Sequence, residues 1–312
     1  MEIIDINGQK IQIEIAGKTV TVKAFMERAS IVVIPESISL NGENYVVDTI
    51  GKKAFLGNKG LREVVLPTSI KRIDDWAFSQ CNHLRRITIP ALFNGDANGA
   101  CTLGRRVFEG CDGMEQICAG KDDNSTRSYL CAALVSRLPA EYLLWDDDIG
   151  SKNWYDKWDL ALTGFIVRKD NEGYTDTVLC GEEDISYDGV GMVDGEMPGE
   201  TYEYVKKVSK NKSYLCLMRL VHDEMLEDTA REIYCDYVRK HKRKVANEAA
   251  WYALNEDVGD ELDYYKVYAQ IAETTSEELT EMIGQMSEDK AQAKAYLISL
   301  RPRENVFDSF EL

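Results

Sequence analysis

Between Ile50 and Ile117 the apolar positions recur in a fixed order. Ile50, Phe55, Leu61, Val64, Leu66 and Pro67 are answered 23 residues later by Ile73, Phe78, Leu84, Ile87, Ile89 and Pro90. Leu103, Phe108, Met114 and Ile117 stand 30 residues beyond their counterparts, after a seven-residue insertion. The spacing predicts an internal repeat with one short strand per unit. In Leu84–Pro90 alternate apolar residues share one face of that strand. Pro90 ends it, because proline has no N–H to give a ladder. Ile73 and Phe78 point inward from the segment that returns the chain across the back. One unit cannot bury its apolar face alone, so the units must stack as a parallel sheet, about 4.8 Å apart. Ile31–Pro35 reads as a degenerate first unit. Residues 2–22, which alternate about Asn7-Gly8, read as a β element covering the open end of the stack.

Beyond Asp122-Asp123-Asn124-Ser125, which reads as a linker, the period changes. Tyr129–Leu138, Trp154–Val167, Tyr214–Val221, Ala230–Val238 and Val245–Leu254 carry helical spacing. Ser276, ahead of Glu277 and Glu278, reads as a helix N-cap. The tetrapeptide Ser-Tyr-Leu-Cys occurs at 128–131 and again at 213–216, a hint of duplicated helical units. The expected architecture combines α/β and all-α parts. Residues 1–120 form a β cap and a short parallel-sheet solenoid of about four coils. Residues 125–312 form an acidic helical domain, with stacked helix pairs as one arrangement.

The pattern I-x-x-x-A-F-x-x-C-x-x-L-x-x-I-x-I-P, carried here by Ile73, Ala77, Phe78, Cys81, Leu84, Ile87, Ile89 and Pro90, resembles the BspA-like leucine-rich-repeat family. The resemblance covers roughly residues 25–120 and implies a curved solenoid used for protein binding, often at cell surfaces. More loosely, Ala295, Tyr296, Leu297, Phe307, Phe310 and Leu312 resemble ankyrin-like helical tails of some bacterial leucine-rich-repeat proteins.

Charge changes the picture by its placement. Residues 1–120 hold 14 Lys and Arg against 14 Asp and Glu, so the net −17 of the 312-residue chain lies wholly in 121–312. Such an acidic half disfavours nucleic acid and anionic membranes, which need clustered cations. No segment approaches 18 uninterrupted apolar residues. The start, MEIIDINGQKIQIEI, shows no basic region, long apolar core or small-residue cleavage site. The cytoplasm is therefore the expected compartment, with eight reduced cysteines, and the cell surface or secretion the alternative.

Candidate chemistry is sparse. Cys81 and Cys111 each follow a repeat phenylalanine by three residues, a slot that Asn58 fills in another unit, so a packing role outranks metal binding. Asp184, Ser186, Asp188 and Gly189 open like a calcium loop, but position twelve is Gly195 rather than the closing glutamate. Asp146-Asp147-Asp148 reads as a solvated turn. The basic run Arg239–Lys244 reads as a helix junction, because no aromatic platform flanks it. Of three histidines, only His222, beside Asp223 and Glu224, has the neighbours of a general base, and no nucleophile motif accompanies it. No cofactor is expected.

The expectation is a non-enzymatic scaffold. It binds a protein or peptide, acidic in character, through the outward residues of the repeat strands: Arg62, Glu63 and Val65, then Arg85, Arg86 and Thr88, then Glu115, Gln116 and Cys118. Arg62, Arg85 and Arg86 are the expected anchors. The rival is an enzyme with a site around His222, Asp184 and Asp188. A third reading has the repeats self-associating to bring helical halves together.

Overall fold

The computed structural model describes residues 1–6, 8–27, 29–90, 101–119, 126–144, 148–172, 199–242 and 248–301. Two sheets face each other across the repeat core. The first contains β1 (Glu2–Ile6), β2 (Gln9–Ala16), β3 (Thr19–Phe25), β6 (Glu43–Ile50), β8 (Arg72–Ile73) and β10 (Thr102–Leu103) in that order, with β5 (Ser37–Leu40) also paired to β6. The second runs β11 (Gln116–Ala119), β9 (Arg86–Ile89), β7 (Glu63–Val65), β4 (Ile31–Val33), all parallel. Val32, Val64, Ile87 and Ile117 share one register row and all point inward, at 2% exposure or less.

The phenylalanines form the spine. Phe25, Phe55, Phe78 and Phe108 stack with ring centroids 5.3, 4.8 and 5.9 Å apart, close to the strand spacing. Each stacked pair is clamped by a backbone bond from one coil to the next: Phe25 N to Ala54 O, Phe55 N to Ala77 O and Phe78 N to Val107 O, at 2.8–3.0 Å. Phe25 places a phenylalanine in the unit read as degenerate. Its signal is plain in sequence, since Lys23-Ala24-Phe25 matches Lys53-Ala54-Phe55. The cysteine slot is also structural. Cys81 and Cys111 donate to the carbonyls of Phe55 and Phe78, at 3.0 and 3.1 Å, while Asn58 Nδ2 donates to Glu27 O at 3.3 Å.

Two positions in each coil turn are left-handed. One precedes the Ala-Phe or Val-Phe pair, at Lys53, Trp76 and Arg106; the other follows it, at Gly57, Gln80 and Gly110. A Cβ on Gly57 would meet nothing within 4 Å, whereas one on Gly110 would lie 2.4 Å from Gln80 Nε2. Gly57→Ala should therefore lose only about 1 kcal/mol for its backbone conformation. Gly110→Ala should lose a similar amount, because the exposed Gln80 amide is the end of a flexible side chain that can swing aside. Denaturant midpoints of the two variants check this, and no loss at either glycine would contradict it.

Both ends of the stack are closed. At the first end, β2 pairs antiparallel with β3 and β1 antiparallel with β2, and Ile11 and Ile13 are buried. A second hairpin, β5–β6, turns at Asn41-Gly42 with both residues left-handed, the geometry that matches strand twist. At the far end, α1 (Thr126–Val135) packs on β11. Just after it, Ser136 O accepts from Gly110 N at 3.0 Å, as Glu109 O accepts from Gln80 N one coil earlier. Glu141, in a 3₁₀ turn (Glu141–Leu144), accepts from Val107 N at 3.2 Å. The carbonyl just after α1 thus supplies Gly110 with the acceptor that a further coil would have offered.

Glu141 also makes this end sensitive to pH. Burial raises its pKa, against the pull of its own N–H and those of Val107 and Arg106. Because the folded value lies above the unfolded one, its stabilising contribution is full below about pH 4.3 and is lost as pH rises through the folded pKa. Glu141→Gln keeps an acceptor and removes the charge. Its stability relative to wild type should improve as pH rises from about 4 to 7, measured as denaturant midpoints. A constant difference would contradict the assignment.

The chain divides into two compact units, Met1–Ala161 and Leu162–Leu312, with the division falling inside α2 (Lys152–Val167). Helix therefore begins, at α1, before the change of compact unit, because α1 and the 3₁₀ turn close the repeat stack. In the second unit, α3 (Gly199–Val221) is central: residues 212–220 are all buried. Against it pack α4 (Asp228–Lys240), α5 (Ala249–Tyr252) with a following π turn (Ala253–Asp257), and α6 (Leu262–Ala272). Next come α7 (Ser276–Gln285) and α8 (Ala291–Ser299). The N-cap of α7 is Thr275, one residue before the expected Ser276. Thr275 accepts from Glu278 N at 3.2 Å while Glu278 accepts from Thr275 N at 2.8 Å, a reciprocal capping box.

Candidate functional site

The outward positions of β4, β7 and β9 form one open face. Register aligns Ile31, Glu63 and Arg86 in one row, and Val33, Val65 and Thr88 in the next. Arg62, Arg85 and Glu115 lead into their strands. Arg62 O accepts both Arg85 N and Arg86 N, and Arg85 O accepts both Glu115 N and Gln116 N, which fixes these residues side by side. Arg62, Arg85, Arg86 and Glu115 are exposed, and Glu63, Val65 and Thr88 half-buried.

Two expectations need correction. Gln116 and Cys118 are only 3% and 1% exposed, because α1 packs on β11 and closes the last coil. Arg85 is also not a free anchor, since its guanidinium pairs with the Glu115 carboxylate. Arg62 and Arg86 make no ion pair among the described residues. Sequence reasoning missed Ile31 and Val33, which are 55% and 50% exposed and extend the face to a fourth strand. Their signal was the IVVIP alternation, which places Ile31 and Val33 opposite in direction to Val32 and Ile34.

The other candidates resolve into structure. Arg239 and Lys240 pair with Asp236 in the last turns of α4, and Lys242 Nζ donates to Ala272 O, 2.7 Å away, at the end of α6. These are cations at helix C-termini, where the dipole favours them. Arg243 and Lys244 lie outside the described residues, as do Asp146, Asp147, Asp184, Ser186, Asp188 and Cys180. Asp148 accepts from Lys157 Nζ at 2.6 Å. His222 sits just past α3 with its ring edge-on to Tyr264, centroids 6.4 Å apart. Burial lowers its pKa, helped by Arg219 and opposed by Asp223 and Asp263. Asp223 is itself paired with Arg231. Among the described residues, no group of three or more His, Cys, Asp or Glu is placed to hold a metal ion. Among them, no helix is long and apolar enough to cross a membrane.

Comparison with known proteins bears on the first unit. Among solved structures, the chain is similar to a leucine-rich cell surface protein of Faecalibacterium prausnitzii, at 22% identity over 38% of this chain and 32% of that one, with a TM-score of 0.31. It is similar to a leucine-rich repeat protein of Bacteroides ovatus at 22% identity over 37% of each chain, TM-score 0.29. A leucine-rich repeat protein of T. pallidum matches at 20% identity over 35% of this chain and 61% of that one, TM-score 0.26. The chain thus spans about a third of the length of the first two, 32% and 37%. No curated protein matches it. The family model for the BspA type leucine-rich repeat region matches residues 7–132 in six copies, reaching from the N-terminal cap strands into α1. The stacked phenylalanines and, apart from β1, the two repeat sheets lie within this matched stretch, which is similar to BspA type leucine-rich repeats.

Proposed function

We propose that the open face of β4, β7 and β9 binds a protein or peptide segment of acidic, apolar character, and that the chain acts by recognition rather than catalysis. The observation that carries this reading is the pair Arg62 and Arg86. Both guanidiniums are exposed and without an ion pair among the described residues, beside the apolar side chains of Ile31, Val33 and Val65. A guanidinium fork suits a carboxylate, and the sheet holds it on a rigid frame. Glu63, Thr88 and the Arg85–Glu115 pair line the same face and contribute fit more than energy, since exposed ion pairs are worth only about 0–1 kcal/mol.

Titrating the full chain with a peptide of alternating valine and glutamate, and with its valine–lysine counterpart, tests the reading. The glutamate peptide should bind, and Arg62→Glu with Arg86→Glu should weaken it at least about tenfold while leaving the melting midpoint unchanged. Equal binding of both peptides, or no effect of the charge reversal, would overturn it.

A further inference from the structure

The sequence holds a segment whose chemistry matches this face. Residues 304–312, ENVFDSFEL, lie beyond the described part of the chain and combine Val306, Phe307, Phe310 and Leu312 with Glu304, Asp308 and Glu311. Extended, such a segment would set Val306, Asp308, Phe310 and Leu312 on one side, with the Asp308 and Phe310 side chains about 7 Å apart. The open face offers the complement. Ile31 and Val33 give an apolar patch on β4, and Arg86 stands two strands away on β9, about 10 Å across the sheet. An aromatic ring seated on Ile31 and Val33 would thus bring the neighbouring carboxylate within reach of a long guanidinium arm.

Charge selects the segment further. The face presents two cations without an ion pair among the described residues, while residues 304–312 carry three acidic and no basic residues. The basic run at 239–244 could not substitute, being of the wrong sign. We infer that the occupant of the open repeat face is residues 304–312 of a second copy of this chain, with Phe310 on Ile31 and Val33 and with Asp308 reaching Arg86. This rests on the reading of that face as a site for acidic segments, and goes beyond it by naming the partner. Reciprocal exchange of two such segments gives a closed pair, since one tail and one face per copy are both used.

The test uses the full chain and a labelled synthetic peptide of residues 304–312. Binding to wild type should weaken at least about tenfold on Arg62→Glu with Arg86→Glu. A peptide carrying Asp308→Arg should bind that variant better than wild type, a reversal that a general loss of structure cannot produce. Sedimentation equilibrium should show a concentration-dependent dimer that Phe310→Ala weakens. If the valine–glutamate peptide binds and the 304–312 peptide does not, this inference fails while the reading of the face survives. If neither binds, both fail. A chain that stays monomeric up to about millimolar concentration also overturns it, because weak specific pairs form in that range.

Discussion

Replacing Phe78 with alanine should cost about 4–5 kcal/mol of unfolding free energy, the upper part of the range for a buried aromatic. Its side chain is 0% exposed and lies between two other rings, Phe55 at 4.8 Å and Phe108 at 5.9 Å. The truncation therefore removes transfer energy, opens a cavity and breaks two stacking contacts, each worth about 0.5–1.5 kcal/mol. Neighbouring coils cannot collapse into the gap, since the Phe78 N to Val107 O bond holds their spacing. Phe25, half-buried at the end of the stack with one ring neighbour among the described residues, should lose only about 2 kcal/mol on the same change. Urea unfolding of the two variants measures this gradient. A loss below about 1 kcal/mol at Phe78 would contradict the stacked-coil core.

In the second unit the largest effect is expected at Lys212. Its side chain is 0% exposed, deep on α3, and its ammonium donates to Asp170 Oδ1 and Arg168 O, both at 2.6 Å. The ring of Phe165 lies 5.1 Å from the same nitrogen. Ser209 Oγ donates to the other Asp170 oxygen at 2.6 Å. Lys212→Met fills similar volume but leaves a carboxylate and a carbonyl without their donor. It should cost about 3 kcal/mol, the lower end for a broken buried pair, because Asp170 retains 24% exposure and can hydrate in part. Asp170→Asn leaves the ammonium buried without a counter-charge and should cost at least as much. The double variant should be more stable than the sum of the two losses implies, by about 1–3 kcal/mol. Strict additivity in a double-mutant cycle would show that the two groups do not act as a pair.

The same buried lysine chemistry recurs nearby. Lys290 donates to the carbonyls of Asn255 and Val258, at 2.5 and 2.7 Å, beyond the turn that ends α5. Burial lowers its pKa despite the surrounding acids. Nothing in the local sequence marks either lysine, since Lys212 sits among polar and charged residues of a helical stretch and Lys290 in the short turn between α7 and α8.

The candidate site was legible in part for a simple reason. Alternation within a strand decides which side chains face out, so Arg62, Glu63, Val65, Arg85, Arg86 and Thr88 could be placed on the outer face from spacing alone. Alternation does not reveal what packs on that face afterwards. Gln116 occupies the same slot as Arg86, yet α1 from beyond the linker covers it. Arg85 and Glu115 are 30 residues apart, and their pairing needs the two coils to be stacked.

By itself the sequence determined the repeat, its phase and its inward residues, because a period of 23 with a phenylalanine, spaced leucines and a terminal proline admits one stacking. It also carried the Asn41-Gly42 hairpin and the Phe25 coil, since turn residues and the Ala-Phe pair act locally. Tertiary structure alone decided how the stack ends and which charges are spent inside. The Ser136 carbonyl replaces the acceptor of a missing coil, and the Glu141 carboxylate meets Val107 N, only because α1 and its following turn fold back onto backbone donors some 26 to 34 residues earlier. Lys212 and Asp170 meet across 42 residues of chain. Such contacts depend on where two distant segments arrive in space, and neither period nor propensity records that.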